Sequence, residues 1–553
     1  MPHPSTIALL LACTLLAACD RQAPAIAPTT PAASPSDTTA AEHAATQARF
    51  AFAEADIAGL QARMAGNELD SRTLTQAYLD RIAAIDDAGP RLNAVIELNP
   101  RALEEADAFD AERRAGKLRG PLHGIPVLLK DNIDATPMVN SAGSLALAGH
   151  RPKDDAFIVR RLREAGAVIL GKTNLSEWAN IRSSRSTSGW SARGGQTRNP
   201  YALDRSPCGS SAGTGSAIAA NLAVVGVGTE TDGSIICPSA VAALVGIKPT
   251  VGLVSRDGII PISHSQDTAG PMARSVADAA ALLAAMSGSD DADAATLASD
   301  GHVVLDYAPH LKADGLEGAR IGVVRDLMGY QPDVDAAMER AIIAMRNAGA
   351  TVVEADIPTL GQWNDAEFTV LKYELKAGLA RYLSESGAPI ADLAGVIAFN
   401  REHATREMPF FGQDIFEQAQ ALGPLTDAAY LEARDRARRL AGPEGIDAAL
   451  MAHQLDALVA PAMSPAWLID PINGDHFTGA GYGAAAVAGT PSITVPMGDS
   501  HGLPLGIVFM GPAWSEPRLV ELAYAFEQAT RARKPPRFLP TVTPEASTVP
   551  QQQ

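Results

Sequence analysis

The sequence predicts an α/β protein with a single large domain, in which a central mixed, mostly parallel sheet is covered by helices on both faces. Three observations support this prediction. From Ala53 onward, segments with the apolar spacing of helices alternate with short apolar runs that are typical of buried strands. No Pro/Gly/Ser-rich linker interrupts the alternation, so the domain is expected to cover residues 53–540. The 553-residue chain is also rich in Ala and Gly, and only 5% of it is aromatic.

Each element is predicted from its local pattern. Residues 71–85 form an amphipathic helix that begins at a serine, and residues 125–129 form a strongly apolar strand that leads into Lys130. Residues 211–222 form a helix of small side chains, and the apolar strand 223–229 follows it. The other predicted helices are 101–114, 155–165, 275–287, 334–348 and 516–530. The other predicted strands are 168–171, 320–324, 351–355, 455–460, 492–495 and 505–510.

Residues 1–18 are predicted to be a signal peptide of the lipoprotein type. Residues 7–18 are apolar but too few to span a bilayer. The sequence Leu-Ala-Ala-Cys that ends at Cys19 resembles the lipobox of bacterial lipoproteins, in which cleavage leaves a lipid-modified cysteine at the N-terminus. The first six residues include no Lys or Arg, so an ordinary cleaved signal remains the alternative. Asp20 resembles the retention signal of inner-membrane lipoproteins, which predicts a periplasmic protein anchored to that membrane.

The segments outside the domain are not expected to fold. Residues 19–52 are rich in Ala, Pro and Thr and are predicted to be a flexible tether, and residues 541–553 are predicted to be a disordered tail. The formal net charge of −18 excludes nucleic acid as a partner, since phosphate binding depends on Lys and Arg. We expect a monomer that binds a small-molecule or peptide substrate and contacts a membrane only through the lipid anchor.

Signal cleavage is expected to remove Cys13, and lipidation is expected to use Cys19. Cys208 and Cys237 are the two cysteines that remain. Cys208 lies two residues before Ser210, and Cys237 lies three residues after Ser234. The pattern favours two buried thiols, and a disulfide in an oxidising compartment remains open.

The stretch Pro-Cys-Gly-Ser-Ser-Ala-Gly-Thr-Gly-Ser at residues 207–216 allows three interpretations. Residues 209–213 match the G-x-S-x-G nucleophile elbow of α/β-hydrolases, but an elbow needs a strand directly before it, and residues 199–207 form a loop. A phosphate-binding loop fails for the same reason, and because no Lys follows the last glycine. The third interpretation is a serine site without histidine, which needs partners from elsewhere in the chain.

Two further loops supply such partners. Residues 228–234 follow an apolar strand, and their successive backbone N–H groups are expected to converge as a nest for the oxyanion of acyl transfer. Lys130 ends the apolar strand at 125–129, where a lysine is unusual unless it is paired or functional. His123 and His264 also lie near these loops, and we interpret both as structural because Lys130 already supplies a base.

These three loops resemble the amidase signature family, whose members use a Ser–cis-Ser–Lys triad. The resemblance covers nearly all of residues 53–536, and it implies the amidase signature fold and hydrolysis of carboxamides. Five framing segments extend it beyond the loops: 171–174, 194–200, 247–252, 270–274 and 491–496.

Matched position by position, the resemblance implies that Ser234 is the nucleophile that forms the acyl-enzyme. It implies that Ser210 is a bridging serine on a cis peptide after Gly209, and that Lys130 is the base. These residue types suit the chemistry, because a serine hydroxyl is a poor nucleophile until a base takes its proton. Free lysine, with a pKa of about 10.4, is almost fully protonated at neutral pH, but desolvation lowers that pKa. A neutral Lys130 would take a proton through Ser210, and the reversed relay would protonate departing ammonia.

Four neighbouring residues are assigned to the oxyanion or substrate site: Ser211, Thr231, Asp232 and Gly233. A role at the helix N-terminus is the alternative for Ser211, and a turn role is the alternative for Thr231. Asp232 is interpreted as a turn former that fixes the oxyanion loop, and not as a general base.

Departures from the commonest family pattern narrow the subclass. Ile236 stands where many members have arginine, which removes any role for that arginine in holding an acidic substrate group. Both cysteines and the segments 188–193 and 515–517 resemble bacterial peptide amidases, which hydrolyse the C-terminal amide of peptides and release ammonia. This subclass is the first hypothesis, and a broad aliphatic or aryl amidase is the alternative.

Two hypotheses remain outside these hydrolases. The subunit that transamidates aminoacyl-tRNA shares the family's core, but the export signal and the acidic charge oppose it. A catalytically inactive, lipid-anchored binding protein is opposed by the intact set of one lysine and two serines. The sequence shows no metal-ligand cluster and no nucleotide motif, so no cofactor or metal is expected.

Overall fold

A computed structural model describes residues 50–542 of the chain. The strands in this range are β1 (Val95–Leu98), β2 (Pro126–Lys130), β3 (Val168–Thr173), β4 (Trp190–Ser191), β5 (Gly195–Gln196), β6 (Val225–Glu230), β7 (Val245–Lys248), β8 (Thr268–Ala273), β9 (Arg320–Val323), β10 (Thr351–Glu354), β11 (Ala457–Pro461), β12 (Ser492–Ser500) and β13 (Leu503–Met510). One sheet of 11 strands has the order β1-β3-β2-β6-β8-β7-β12-β13-β11-β9-β10, and β4 pairs with β5 in a separate small sheet.

Helices flank the large sheet, and short 3₁₀ and π turns connect some of them. The α-helices in residues 50–542 are α1 (Ile57–Ala65), α2 (Ser71–Ile85), α3 (Ala102–Arg114), α4 (Phe157–Glu164), α5 (Ala212–Ala219), α6 (Ile236–Ala240), α7 (Val276–Met286), α8 (Pro332–Asn347), α9 (Asn364–Ser386), α10 (Leu393–Glu402), α11 (Ala404–Glu407), α12 (Asp414–Gln420), α13 (Ala428–Ala441), α14 (Asp447–His453), α15 (Gly483–Ala488) and α16 (Glu516–Thr530).

The α/β class, the mixed sheet and the single domain are confirmed, but the sheet has fewer parallel pairs than the sequence predicted. Of the ten pairings in the described sheet, four are parallel and six are antiparallel. Short connections explain part of this difference, because a tight turn can only join antiparallel strands. Strands β12 and β13 are joined at His501 and Gly502, which both have positive φ, as a two-residue hairpin turn requires.

The predicted elements were found, with ends that differ by a few residues. The helix predicted at 71–85 matches α2, although its side-chain cap comes from Asp70, whose carboxylate accepts from the N–H of Thr73, and not from a serine. Among the elements that were not predicted are strands β1, β7 and β8 and the helices between residues 364 and 453. Strand β8 contains Gly270 and Pro271, which have low strand propensity, so its pattern did not indicate a strand.

The neighbouring strands β2 and β6 position the residues of the candidate site. Every residue of both strands is buried, and the two run parallel with Leu129 opposite Val227. Parallel neighbours end at the same edge of a sheet, so Lys130 at the end of β2 meets Thr229 and Glu230 at the end of β6. Helix α5, the predicted helix of small residues, packs against β6.

The packed part of the chain begins earlier than the predicted boundary at residue 53. Phe50 and Phe52 lie 5.3 and 6.4 Å from the ring centre of Tyr78, and Phe52 is buried. The predicted signal peptide, Cys19, the tether up to residue 49 and the tail from residue 543 lie outside the described residues. Within residues 50–542, no helix combines the length and apolarity needed to cross a membrane.

Candidate active site

Lys130 is fully buried at the end of β2 and contacts the loop that the sequence singled out. Its Nζ lies 2.7 Å from Ser210 Oγ, 2.9 Å from Thr229 Oγ1 and 3.1 Å from the Thr229 carbonyl oxygen. Asn132 Nδ2 donates to the same Thr229 hydroxyl at 2.9 Å. The lysine and the serine therefore meet as the sequence predicted, 80 residues apart in the chain.

Burial lowers the pKa of Lys130 to about 7, although the charges of Glu230 and Asp267 oppose this shift. At a pKa of about 7, roughly half of the side chain is neutral at neutral pH, against about one part in two thousand for free lysine. This buried amine can therefore accept a proton under physiological conditions.

Two other fully buried lysines show that burial alone does not identify the base. Lys172 Nζ lies 3.2 Å from the carboxylate of Asp131 and donates to the carbonyl oxygen of Ile133 at 2.5 Å. Lys248 Nζ donates to the Pro249 carbonyl oxygen at 3.1 Å. Of these three lysines, Lys130 is the one whose amine contacts a serine hydroxyl.

Ser210 and Ser211 directly precede helix α5, and their side chains have different partners. The peptide bond between Gly209 and Ser210 is cis, as the family resemblance implied. The Ser211 hydroxyl donates to the Thr229 carbonyl oxygen at 3.1 Å and accepts from the Thr229 N–H at 3.2 Å. Ser211 thus fastens the start of α5 to the end of β6, which supports its structural alternative.

Ser234 lies beside these serines and is 7% exposed. Its carbonyl oxygen accepts from the N–H of Ser211 at 3.2 Å. The N–H groups of Ile235 and Ile236 point inward and donate to Glu230 Oε2 at 2.7 and 2.9 Å. Within the predicted nest of residues 228–234, the N–H of Thr229 donates to the Ser211 hydroxyl, so the nest is smaller than the whole loop.

The rest of this loop differs from the predicted turn. Thr231 Oγ1 donates to Asp267 Oδ1 at 2.5 Å, which supports a structural role for Thr231. Gly233 has a φ of +77°, and a Cβ atom at this position would lie 2.2 Å from the ring of Tyr482. Asp232 is exposed, and its carboxylate forms no hydrogen bond within the described part of the chain. The structure therefore gives no support to the interpretation of Asp232 as a turn former.

Cys208 and Cys237 form a disulfide with their Cα atoms 6.1 Å apart. The preference for two free thiols was therefore wrong. Ser211 and Ser234 bring the two loops together, and this contact places the cysteines within bonding distance. The disulfide links the loop of Ser210 covalently to the loop of Ser234.

Neither nearby histidine contacts the two serines. His123 is buried, and its Nε2 lies 2.9 Å from the Phe109 carbonyl oxygen. The side chain of His264 is half exposed and lies 3.3 Å from a carboxylate oxygen of Glu374. Both positions agree with structural roles.

Two surface cavities of about 860 and 580 Å³ lie elsewhere, and neither is lined by Lys130, Ser210 or Ser234. The candidate site is therefore identified by its chemistry and not by cavity size. In the described part of the chain, no group of three or more His, Cys, Asp or Glu side chains could hold a metal ion.

Five residues of this region were missed as site residues by the sequence analysis. Thr229 and Glu230 lie within residues 228–234, the loop that contains Ser234. Their place in that loop was a signal that they lie near Lys130 and Ser234. The other three come from distant segments in which no motif marked them: Asp267, Glu367 and Tyr482.

Several known proteins are similar to this chain over most of its length. A family model described as Amidase matches residues 73–520. The solved native peptide amidase from Stenotrophomonas maltophilia is 63% identical, with a TM-score of 0.86, and the match covers 88% of this chain and 99% of that chain. A protein of Arabidopsis thaliana named as a probable amidase is 41% identical, and the match covers 85% of this chain and 89% of that protein. A Glutamyl-tRNA(Gln) amidotransferase chain of Salinispora arenicola is 37% identical, with coverage of 85% and 96%.

Proposed function

The chain belongs to the amidase family, an assignment that makes it an amide hydrolase, and on this basis we propose that it hydrolyses the C-terminal amide of peptides to the free acid and ammonia. The observation that carries the finer proposal is its 63% identity to a peptide amidase over 88% of the chain. The identity to the amidotransferase chain is much lower, at 37%. The intact contact between Lys130 and Ser210 gives no support to an inactive binding protein.

The hydrogen bonds around Lys130 support its role as the base. A neutral amine has two N–H groups and one lone pair. The Thr229 carbonyl oxygen can only accept, and the Thr229 hydroxyl takes the second N–H, so the lone pair is left for the Ser210 hydroxyl. Ser210 can then give its proton to Lys130 and take one from Ser234.

The proposed reaction has two steps. In the first, Ser234 Oγ attacks the carboxamide carbon, its proton moves through Ser210 to Lys130, and the return of that proton lets ammonia leave. In the second, water loses a proton to the same relay and attacks the acyl carbon, and the relay returns that proton to Ser234 Oγ as the ester bond breaks and the free acid leaves. The N–H groups of Asp232 and Ser234 have no acceptor in residues 50–542, which supports a role for them as donors to the oxyanion.

The experiment that tests the function is ammonia release from a matched panel of amides. The panel pairs peptide amides with peptides of the same sequence that have a free C-terminus, and adds small aliphatic and aryl amides. We expect peptide amides to have the highest kcat/KM and internal peptide bonds to remain intact. A higher kcat/KM for the small amides would replace the proposal with the broad amidase.

A trapping experiment tests the nucleophile. We expect an acylating or phosphonylating inhibitor to leave its adduct on Ser234, as located by mass spectrometry of tryptic peptides. The Ser234→Ala variant should remain unlabelled. An adduct on Ser211 would instead identify a nucleophile elbow.

We also propose that the protein is a periplasmic lipoprotein anchored through Cys19. The Leu-Ala-Ala-Cys sequence supports this proposal, and the disulfide suits an oxidising compartment. The full chain should incorporate labelled palmitate and sediment with membranes, and Cys19→Ser should do neither. A wild-type protein with an unmodified N-terminus and no membrane association would contradict the anchor.

A further inference from the structure

The side chain of Tyr482 lies directly against the loop that carries the nucleophile. A Cβ atom on Gly233 would be 2.2 Å from the Tyr482 ring and 2.7 Å from its hydroxyl oxygen. Since a carbon–carbon bond is about 1.5 Å long, the hydroxyl oxygen is at most about 4.2 Å from the Cα atom of Gly233. Consecutive Cα atoms are about 3.8 Å apart, so the same oxygen is at most about 8 Å from the Cα atom of Ser234.

The backbone of Tyr482 is held in place, whereas its hydroxyl has no acceptor within residues 50–542. The Tyr482 carbonyl oxygen accepts from the N–H of Ala486 at 3.2 Å in the first turn of α15. The preceding N–H, of Gly481, donates to the Ala462 carbonyl oxygen at 3.4 Å. By contrast, the hydroxyl of Tyr430 donates to a carboxylate at 2.6 Å. The side chain of Tyr482 is also partly exposed, so its hydroxyl is a positioned donor that a substrate can reach.

The phenol of Tyr482 keeps its proton wherever the relay works. Burial raises the pKa of the Tyr482 hydroxyl well above its usual range, and the nearby acids Asp232, Glu230 and Glu367 raise it further. The pKa of Lys130 is about 7, so the base titrates far below the phenol. The hydroxyl is therefore a hydrogen-bond donor at every pH at which Lys130 can accept a proton.

A peptide amide presents an acceptor at a suitable distance from this donor. Before the attack, the scissile carbon lies about 3 Å from Ser234 Oγ. The carbonyl group of the preceding peptide bond follows one residue, or about 3.8 Å, further along the substrate. In the proposed reaction the oxygen of the scissile amide is held by backbone N–H groups of the nucleophile loop, so it does not need the tyrosine. A simple carboxamide has no second carbonyl group.

We propose that the Tyr482 hydroxyl donates to the carbonyl oxygen of the peptide bond that precedes the scissile amide. This inference rests on the proposed function, and it names the residue that distinguishes a peptide amide from a simple carboxamide. One such hydrogen bond favours the substrate that makes it by on the order of tenfold. Because the contact is the same before and during the reaction, its loss should raise KM and leave kcat nearly unchanged.

The test compares two substrates that differ in that peptide group. N-Acetyl-leucinamide contains the preceding peptide carbonyl, and 4-methylpentanamide has the same side chain and the same scissile amide without it. The variant Tyr482→Phe removes the hydroxyl and keeps the ring that packs on Gly233. The matched control is Tyr330→Phe, because the Tyr330 ring lies near Tyr482 and its hydroxyl is enclosed, with no hydrogen bond in the described residues.

The deciding quantity is the ratio of kcat/KM for N-acetyl-leucinamide to kcat/KM for 4-methylpentanamide. We expect this ratio to fall on the order of tenfold in Tyr482→Phe, through a higher KM for N-acetyl-leucinamide, and to stay at the wild-type value in Tyr330→Phe. An unchanged ratio in Tyr482→Phe, or an equal fall in the control, overturns the proposal. If Tyr482→Phe does not fold, Tyr482→Leu, which also lacks the hydroxyl, is judged by the same ratio. If turnover of 4-methylpentanamide is too slow to measure, its inhibition constant against N-acetyl-leucinamide is compared with the KM of N-acetyl-leucinamide.

Failure of the proposed function gives a different result. In that case the wild-type enzyme itself would hydrolyse 4-methylpentanamide with the higher kcat/KM. If only the assignment of Tyr482 is wrong, the wild type prefers N-acetyl-leucinamide and Tyr482→Phe keeps the whole of that preference.

Discussion

The titration of Lys130 can be shifted by a single neighbouring substitution. Asn132 and Lys130 contact the same Thr229 hydroxyl at 2.9 Å each, so their nitrogen atoms are at most about 5.8 Å apart. The substitution Asn132→Asp places a negative charge at that distance. With an effective dielectric constant of about 20, the attraction is on the order of 3 kcal/mol, which raises the pKa of Lys130 by about two units.

The expected consequence is a shift of the acid limb of kcat/KM. In the wild type this limb should have a midpoint near pH 7, since the pKa of Lys130 is about 7 and only the neutral amine accepts a proton. In Asn132→Asp the midpoint should move to about pH 9, and kcat/KM at neutral pH should fall by about fiftyfold and recover in alkali. The assay is the initial rate of ammonia release from one peptide amide at low substrate concentration between about pH 5 and pH 10.

The control for this experiment is Asn132→Leu, which removes the hydrogen bond to Thr229 without adding charge. An equal shift in this variant, or a wild-type midpoint in folded Asn132→Asp, would refute the assignment of the limb to Lys130.

Lys130→Ala should lose several orders of magnitude in kcat/KM. Lys130→Arg should not restore the activity, because a guanidinium cannot give up its proton at these pH values.

Three further results are expected. His123→Gln and His264→Gln should keep most of the wild-type kcat/KM if they fold, because neither ring contacts the serines; loss of activity in a folded variant would point to a histidine base. Gly233→Ala should lower both Tm and kcat/KM, since its φ is +77° and the new Cβ would meet the Tyr482 ring at 2.2 Å; wild-type values would contradict the observed loop. Reduction of the disulfide, which spans 29 positions, should lower the free energy of unfolding by about 3.6 kcal/mol in denaturant titrations, whereas a double Cys→Ser variant should not respond to the reductant.

Much of the candidate site could be predicted from the sequence, because its central residues stand in short loops whose composition is itself informative. The small residues around Ser210 and Ser234 and the apolar strand before Lys130 indicated the chemistry before any distance was known. The structure confirms that Lys130 reaches Ser210 and that the preceding peptide bond is cis. The roles of the three residues remain predictions that the proposed experiments test.

Only the tertiary structure decided which distant segments contact each other and in which direction each strand runs. No local pattern links Glu367 or Tyr482 to the nucleophile loop, since each reaches it by packing of elements more than 100 residues away. The pairing of Cys208 with Cys237 depended in the same way on how two loops meet. An apolar strand pattern reports burial, but it carries no information on which neighbour the strand pairs with or in which direction. The sequence alone therefore determined the chemical groups of the site, and long-range packing decided their surroundings.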